Sequence, residues 1–344
     1  MKILRRLIIF ILIISLLFFN DILQSILSME LEGFNNIFPR VHREDVIEIS
    51  SKYKEQVKNL LAIEKGETSI EVPLATISKE DSLSLPEDGV FEDPNLLKEY
   101  LVEQLINLEE VIVVRYYGDL TMEDLMEIGR SATEDSQVLE GYKGGNIHIE
   151  ALEKNKTMTI ESNFKMTKEE KAQINEFIRL WVAQNISQEM GDEEKVKSIH
   201  DFIILQNQYN EGDENHQSAG YSVYSPGSIL FGEGGVCEAY AYLFYKMALA
   251  TGLEAIVVRG IAQPDSESSG FNHAWNMVKV DNIWYYIDLT WDDPVTKDGR
   301  DVLRYDYYLK SNEYMSTTRT WNKEEYPPAP YDYPHNYIQK IDKS

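Results

Sequence analysis

GGVCEAYAYLFYKMALATG, residues 234–252, contains the single cysteine of the 344-residue chain, Cys237. From Cys237 onward the stretch is apolar on nearly every side of a helix, and a helix without a polar face is buried all round. Glycines precede it, and Gly252 stands where a helix commonly ends. The stretch therefore predicts a central, buried helix with Cys237 in its first turn.

Two interpretations of Cys237 are open at this point. A free cysteine is often an inert, buried residue that packs as a small hydrophobe. The first turn of a helix, in contrast, offers free N–H groups and the positive end of the helix dipole, and both favour a thiolate. A nucleophile needs that position and a buried filler does not, so the rest of the chain has to decide.

A second stretch, NHAWNMVKVDNIWYYIDLTWDDP at residues 272–294, predicts a β-hairpin. Two β-rich runs flank Asp281–Asn282, which is typical of a two-residue turn. This turn places Val280 opposite Ile283 and fixes the register of the two strands.

Continued along the strands, this register places Trp275 opposite Asp288 and His273 opposite Thr290, all on one face. His273 and Asp288 are then a diagonal pair, roughly 7–8 Å apart at the backbone. An aspartate that orients an imidazole is the third member of a nucleophile–base–orienter set. The hairpin therefore predicts a His–Asp dyad.

Together these residues resemble the three motifs of the transglutaminase-like superfamily of papain-fold thiol enzymes. The matching stretches are GGVCEAYAYLFYKMALATGLEAIVVRG, NHAWNMV and WYYIDLTWDDP, with Cys, His and Asp in that order at separations of 36 and 15 residues. IHDFIILQNQYN is similar to the helix that precedes the nucleophile in bacterial members. The resemblance covers roughly residues 167–330.

The resemblance implies that Cys237 is the nucleophile, His273 the general base and Asp288 its orienter. It also implies an α+β fold, a papain-like transglutaminase core in which the buried Cys-bearing helix packs on an antiparallel sheet. A small α/β accessory unit precedes this core and resembles the accessory region of exported bacterial members. No metal or organic cofactor is expected.

Three aromatic residues are the candidate substrate contacts. Trp275, Tyr224 and Trp291 are predicted to bind substrate, the two tryptophans as walls of the site that also belong to the core. The oxyanion donor beside the Cys237 backbone N–H is left open among Tyr221, Tyr224 and Gln208.

Other polar residues have simpler interpretations. Glu238 either opposes the neighbouring thiolate slightly or is a first-turn acid that the helix dipole favours. His200 lies on the apolar face of its helix and is predicted to be a core residue. Asp292 and Asp293 are predicted as turn formers rather than calcium ligands.

The amino terminus predicts export. The basic MKILRR is followed by thirteen apolar residues, Leu7 to Phe19. As a helix this run spans about 20 Å, short of the ~30 Å hydrocarbon core, which suits a signal peptide. No clear cleavage site follows, so the chain is either released or held by an uncleaved anchor on the extracytoplasmic face of the membrane.

The rest of the chain divides by its periodicity and its breakers. The predicted segments are 1–28, signal peptide or N-terminal membrane anchor; 29–93, helix plus acidic linker; 94–166, small α/β accessory domain; 167–330, transglutaminase-like catalytic domain; and 331–344, C-terminal tail.

Charge and cysteine content restrict the function. A formal charge of −25 argues against nucleic acid as a partner, since phosphate binding needs a basic face. One cysteine excludes an intramolecular disulfide and a multi-thiolate zinc site.

We therefore expect an exported thiol enzyme that forms a Cys acyl-enzyme on amide or ester carbonyls of envelope or extracellular proteins or peptides. Either water or an amine then accepts the acyl group. The alternatives are a glycan-wall amidase and a catalytically silent surface scaffold or binding module.

Overall fold

The computed structural model describes residues 86, 89–135, 137–206, 209–210, 217–264, 269–294 and 302–334, and the backbone of 340–342. The predicted signal peptide or anchor at 1–28, and all of the 29–93 segment up to residue 85, lie outside these residues. Among the described helices, none has both the length and the apolar character that crossing a bilayer requires.

A four-stranded sheet with two helices on one face forms the first part of the described chain. Its elements are β1 (Val90–Phe91), α1 (Pro94–Ile106), β2 (Val111–Tyr117), α2 (Met122–Thr133), β3 (Tyr142–Leu152) and β4 (Asn155–Phe164). The strand order is β1-β2-β4-β3, with β1 parallel to β2 and the other pairs antiparallel. Alternation along β2 turns Ile112 and Val114 toward Leu101 of α1 and Leu125 of α2, so the helices cover one face of the sheet, and Val111 and Val113 on the other face are exposed.

The second part contains the cysteine helix and a second sheet. Its elements are α3 (Lys168–Asn185), α4 (Asp192–Gln206), β5 (Gln217–Ser218), β6 (Tyr221–Ser222), α5 (Pro226–Leu230), α6 (Cys237–Ala250), β7 (Ala255–Ala262), β8 (Phe271–Val280), β9 (Ile283–Ile287), α7 (Leu289–Asp292), β10 (Val302–Arg304), α8 (Asn312–Met315), β11 (Arg319–Thr320) and β12 (Lys340–Asp342).

The predicted central helix is confirmed as α6. Its large side chains, among them Tyr240, Tyr242 and Phe244, are fully buried between α3, α4 and α5 on one side and β7–β8 on the other. Full burial of an apolar side chain of this size stabilises a fold by about 1.5–3 kcal/mol. The buried Asn276 amide donates to the carbonyls of Ala241 on α6 and Ile256 on β7, at 2.9 and 3.3 Å, and ties the helix to the sheet.

The predicted hairpin is confirmed as far as Ile287. Asp281 and Asn282 have φ values of 50° and 66°, as a two-residue turn of this type requires, and the pairing runs from Val280–Ile283 to Asn276–Ile287. The sheet is antiparallel throughout, in the order β11-β7-β8-β9.

The continuation of that register beyond Ile287 is wrong. Asp288 leaves the sheet and caps α7, where its side chain accepts from the Trp291 N–H at 3.3 Å. Its own N–H donates to Tyr307 O at 3.1 Å. His273 therefore lies beside Gly260 of β7 and pairs with no residue after Ile287.

The α+β class is confirmed, with a buried cysteine helix packed on an antiparallel sheet. The first sheet precedes this core in the chain, and the domain boundaries assigned from the sequence stay predictions.

Gly260 of β7 provides a test of this packing. A Cβ there would lie 2.5 Å from Thr320 O, 2.8 Å from the Trp275 ring and 2.9 Å from the Trp321 Cβ. Gly260→Ala should therefore displace β11 and cost about 1–3 kcal/mol in the free energy of unfolding, measured in urea. Gly191→Ala, where the added Cβ meets nothing nearer than 3.7 Å, is the matched control. Equal stability of the two variants would contradict the observed packing.

Candidate active site

The start of α6 places Cys237 at an open helix end. Val236 is the N-cap residue and no side chain caps the first turn. Gly235 passes so close to Ser228 and Val223 that a Cβ would lie 2.4 Å from Ser228 Oγ and 2.7 Å from Val223 O. This close approach, together with the Val236 N–H to Val223 O bond of 2.9 Å, fixes where the helix begins. Cys237, in this first turn, is half-buried.

His273 on β8 is the imidazole that faces this thiol. Its Nε2 lies 2.8 Å from Asp288 Oδ2, and its ring stacks on Trp275 with centroids 5.8 Å apart. Its Nδ1 makes no hydrogen bond to any residue that the structure describes, which leaves that nitrogen for Cys237. Burial lowers the pKa of His273, but the charge and hydrogen bond of Asp288, with a smaller contribution from Cys237, raise it to about 9.

Asp288 is 1% exposed and depends on hydrogen bonds for its charge. Oδ2 accepts from His273 and from both Nε (3.1 Å) and Nη2 of Arg319, while Oδ1 accepts from Thr290 Oγ1 at 2.6 Å. Burial raises the pKa of this carboxyl, but the charges of His273 and Arg319 outweigh that effect and hold it well below its usual range. The carboxylate is therefore anionic wherever the protein is folded near neutral pH.

Arg319 is a member of this site that the sequence analysis missed. It lies on β11 and is 3% exposed, with its guanidinium carbon 4.0 Å from the Trp291 ring centre and 4.2 Å from that of Tyr307. Nη1 donates to Thr318 Oγ1 at 2.7 Å. No motif marks a lone arginine 31 residues after Asp288; the one available signal was that a buried aspartate needs a cation beside it.

The three predicted substrate contacts lie in different surroundings. Trp275 is 1% exposed and packs on the core side of His273. Its buried ring does not offer the surface that the predicted substrate contact requires. Trp291 is half-buried, with its ring 6.1 Å from that of His273, and borders open space. Tyr224 is half-buried under Lys165, whose Nζ lies 5.7 Å from the Tyr224 ring centre.

The structure reduces the number of candidates for the oxyanion donor. Tyr221 donates its hydroxyl to Gln173 Oε1 at 2.8 Å, so that proton is engaged elsewhere. Gln208 lies outside the described residues. Tyr224, near the start of α6, remains a candidate for the oxyanion donor.

Glu238, the residue after Cys237, has two cations around it. Lys165, between β4 and α3, forms an ion pair with its carboxylate, and Arg259 Nη2 lies 4.0 Å away. The sequence suggests that Glu238 repels a neighbouring thiolate, and these two positive charges offset that repulsion.

His200 is fully buried, as predicted, and it joins two acidic residues. Nδ1 lies 2.9 Å from Asp201 Oδ1 and Nε2 lies 3.2 Å from Asp292 Oδ2. Asp292 Oδ1 also accepts from the Tyr307 N–H at 2.8 Å. Asp292 thereby anchors α7 to α4. The described residues contain no group of three or more histidine, cysteine or acidic side chains that could hold a metal ion.

Comparison with known proteins matches the part of the chain that carries this site. Residues 181–289 match the model of the Transglutaminase-like superfamily. Kyphoscoliosis peptidase of Mus musculus is 28% identical over 116 residues, 32% of this chain and 17% of the relative. The Homo sapiens protein of the same name is 23% identical over 164 residues, 43% of this chain and 24% of the relative, so the chain spans a quarter or less of these relatives.

A solved structure described as a TGase overlaps the chain only loosely. It has 13% identity and a TM-score of 0.32, over 65% of this chain and 58% of that one.

The raised pKa of His273 gives a direct titration test. The imidazolium should persist through neutral pH and lose its proton near pH 9. Asp288→Asn removes the group that raises this pKa most, so deprotonation should move toward the ordinary value of about 6.5. The measurement is an NMR titration of the ring, assigned with His273→Gln, in which His200 is the internal control. Deprotonation of wild-type His273 near pH 6.5 would contradict the arrangement.

Loss of the Arg319 charge should cost stability because it leaves a buried carboxylate with one cation fewer. Arg319→Met should lower the free energy of unfolding by about 3–5 kcal/mol, measured in urea. Lys323→Met is the control, since the Lys323 ammonium, over the Trp321 ring at 5.0 Å, is at the exposed surface. Arg319→Met combined with Asp288→Asn should cost less than the sum of the two single changes. Additive costs would show that the two groups act independently.

Proposed function

On the premise that residues 181–289 belong to the transglutaminase-like superfamily, we propose that this protein is a thiol acyl-transfer enzyme that uses Cys237, His273 and Asp288. The observation that carries the proposal is that the two ring nitrogens of His273 have different surroundings. Nε2 is bound to a buried carboxylate, while Nδ1 has no hydrogen bond among the described residues and serves the thiol at the start of α6. A structural histidine of this burial would have both nitrogens satisfied, as His200 does.

The first half-reaction forms a thioester. The Cys237 thiolate attacks the carbonyl carbon of an amide or ester, and the oxygen gains the negative charge. The first-turn N–H groups of α6 favour that charge. As the tetrahedral intermediate collapses, the His273 imidazolium gives its proton to the leaving amine or alcohol.

The second half-reaction returns the enzyme to its starting state. Neutral His273 removes a proton from water or from an amine, which attacks the thioester carbonyl. Collapse expels the Cys237 thiolate and leaves the proton on His273. Asp288 keeps the ring oriented through both half-reactions, and Arg319 fixes Asp288. Both half-reactions use the Cys237 and His273 side chains and the first-turn backbone N–H groups of α6.

We also propose that substrates are proteins or peptides of the cell envelope or the extracellular space, and that the amino-terminal segment takes the chain there. Support comes from the apolar run at Leu7–Phe19 behind a basic segment. The matched relatives are named peptidases, which favours water as the acceptor to assay first. A lysine-type amine is the alternative acceptor.

The test is acyl-enzyme formation on the full chain. Wild-type protein is mixed with p-nitrophenyl acetate, quenched in acid and analysed by mass spectrometry, and the acetyl group should lie on Cys237. Cys237→Ala should form no adduct, because no other side chain here can form the thioester. His273→Ala should lose nearly as much activity. Asp288→Asn should keep a residual rate, with a loss below the ~10⁴-fold seen in serine triads, since a thiolate needs less help.

Two controls make the assay decisive. Lys279→Met removes one charge of an exposed pair, 2.8 Å from Glu254, and should acylate like the wild type. Thermal melts of all variants separate lost chemistry from lost folding. Absence of an adduct on folded wild-type protein would favour the silent scaffold.

A further inference from the structure

His200 on α4 is a fully buried histidine to which the proposed chemistry gives no role. Its ring stacks on that of Tyr305 and lies edge-on to that of Tyr308, with ring centres 5.1 and 5.0 Å away. Each ring nitrogen faces a carboxylate oxygen: Nδ1 lies 2.9 Å from Asp201 Oδ1, and Nε2 lies 3.2 Å from Asp292 Oδ2. An ionised carboxylate only accepts hydrogen bonds, so both nitrogens donate and the ring is an imidazolium.

The imidazolium completes a set of balanced charges. Burial lowers the pKa of His200, but the hydrogen bonds and charges of Asp201 and Asp292 outweigh burial and raise this pKa above its ordinary value. Asp201 also pairs with Lys197 and accepts from the Tyr305 hydroxyl at 2.8 Å. Among the described residues, the cation that contacts Asp292 is His200. Loss of the His200 ring would therefore affect Asp292 more than Asp201.

Asp292 is the last residue of α7, the short helix that Asp288 caps. A helix of one turn is not stable alone, so the contacts at its two ends set its position. At the first end, the Asp288 N–H donates to Tyr307 O at 3.1 Å. At the second end, Asp292 accepts from the Tyr307 N–H at 2.8 Å and from His200 on α4. The carboxylate that orients His273 thus starts a helix whose far end His200 holds.

We propose that His200 is a positioning residue for the acyl-transfer reaction, one that fixes the orientation of the His273 ring through Asp292, α7 and Asp288. Without His200, Asp292 would be a buried anion with no cation beside it, and it would have to take up a proton or move toward water. Either change releases the end of α7 and lets Asp288 shift. A shift of about 1 Å at a catalytic group can slow a reaction about 100-fold. The effect on rate rests on the proposed acyl-transfer function, whereas the effect on the His273 ring does not.

The test compares His200→Asn with His200→Gln on the full chain. A glutamine amide reaches about as far as the imidazole Nε2 and can donate to Asp292, whereas an asparagine amide reaches only as far as Nδ1. His200→Asn should slow acetylation of Cys237 by p-nitrophenyl acetate about 100-fold. In the same variant, an NMR titration should move the deprotonation of His273 from about pH 9 toward the ordinary value of about 6.5, because the Asp288 carboxylate is displaced from the ring. His200→Gln should react at least about tenfold faster than His200→Asn and keep the His273 deprotonation near pH 9.

Two further variants separate positioning from lost folding. Asp292→Leu breaks the same contact from the other side and leaves no unpaired anion, so it should reproduce both effects even where His200→Asn does not fold. Leu101→Ala makes a cavity in the core cluster of the first sheet, which contains no residue of α7, and should change neither measurement. Thermal melts define the temperature at which every variant is compared in its folded state.

A wild-type rate of acetylation and a wild-type His273 titration in folded His200→Asn, or in folded Asp292→Leu, would overturn the proposal. Equal losses in His200→Asn and His200→Gln would also overturn it, since the contact with Asp292 would then not be the cause. If the wild-type protein forms no acyl-enzyme, the proposed function fails, and the His273 titration alone decides the role of His200.

Discussion

The buried carboxylate of Asp288 is the interaction on which the rest of the site depends. A negative charge removed from water is costly unless cations and hydrogen-bond donors surround it. Here the donors come from β8 through His273, from β11 through Arg319 and from α7 through Thr290. One carboxylate thus holds two strands of the sheet and the helix that follows it at fixed distances, and the orientation of the imidazole is a result of that convergence.

A second contact between a histidine and a carboxylate, His200–Asp292, helps to fix the position of the first, His273–Asp288. Asp292 closes the short helix that Asp288 opens, and His200 binds Asp292 from α4. Movement of either aspartate would therefore have to break contacts with two separate parts of the fold. The raised pKa of Asp292, about 6, follows mainly from burial, which His200 and the Tyr307 N–H partly offset. Rigid support of this kind is what a proton-transferring ring needs, because small errors in its position slow the reaction.

Local sequence patterns were sufficient to predict much of this arrangement. The all-round apolar character of 237–250 predicted the buried helix, and the turn at Asp281–Asn282 predicted the hairpin register as far as Ile287. The register failed at Asp288 because a carboxylate that caps a helix ends the strand, and alternation cannot show where that happens. The Arg319–Asp288 and His200–Asp292 contacts were not predicted, since each is a hydrogen bond between residues far apart in sequence.

Because of the ion pair between Lys165 and Glu238, the charge around Glu238 depends on a residue that follows the first sheet. Lys165 follows the last strand of the first sheet, and Glu238 follows Cys237. A chain shortened to begin at residue 167 would leave the Glu238 carboxylate with Arg259 alone, at 4.0 Å. The acid next to Cys237 would then be less well neutralised. The residue that follows the first sheet therefore supplies positive charge beside the proposed catalytic centre, and the second part of the chain taken alone would not be chemically equivalent to the intact protein.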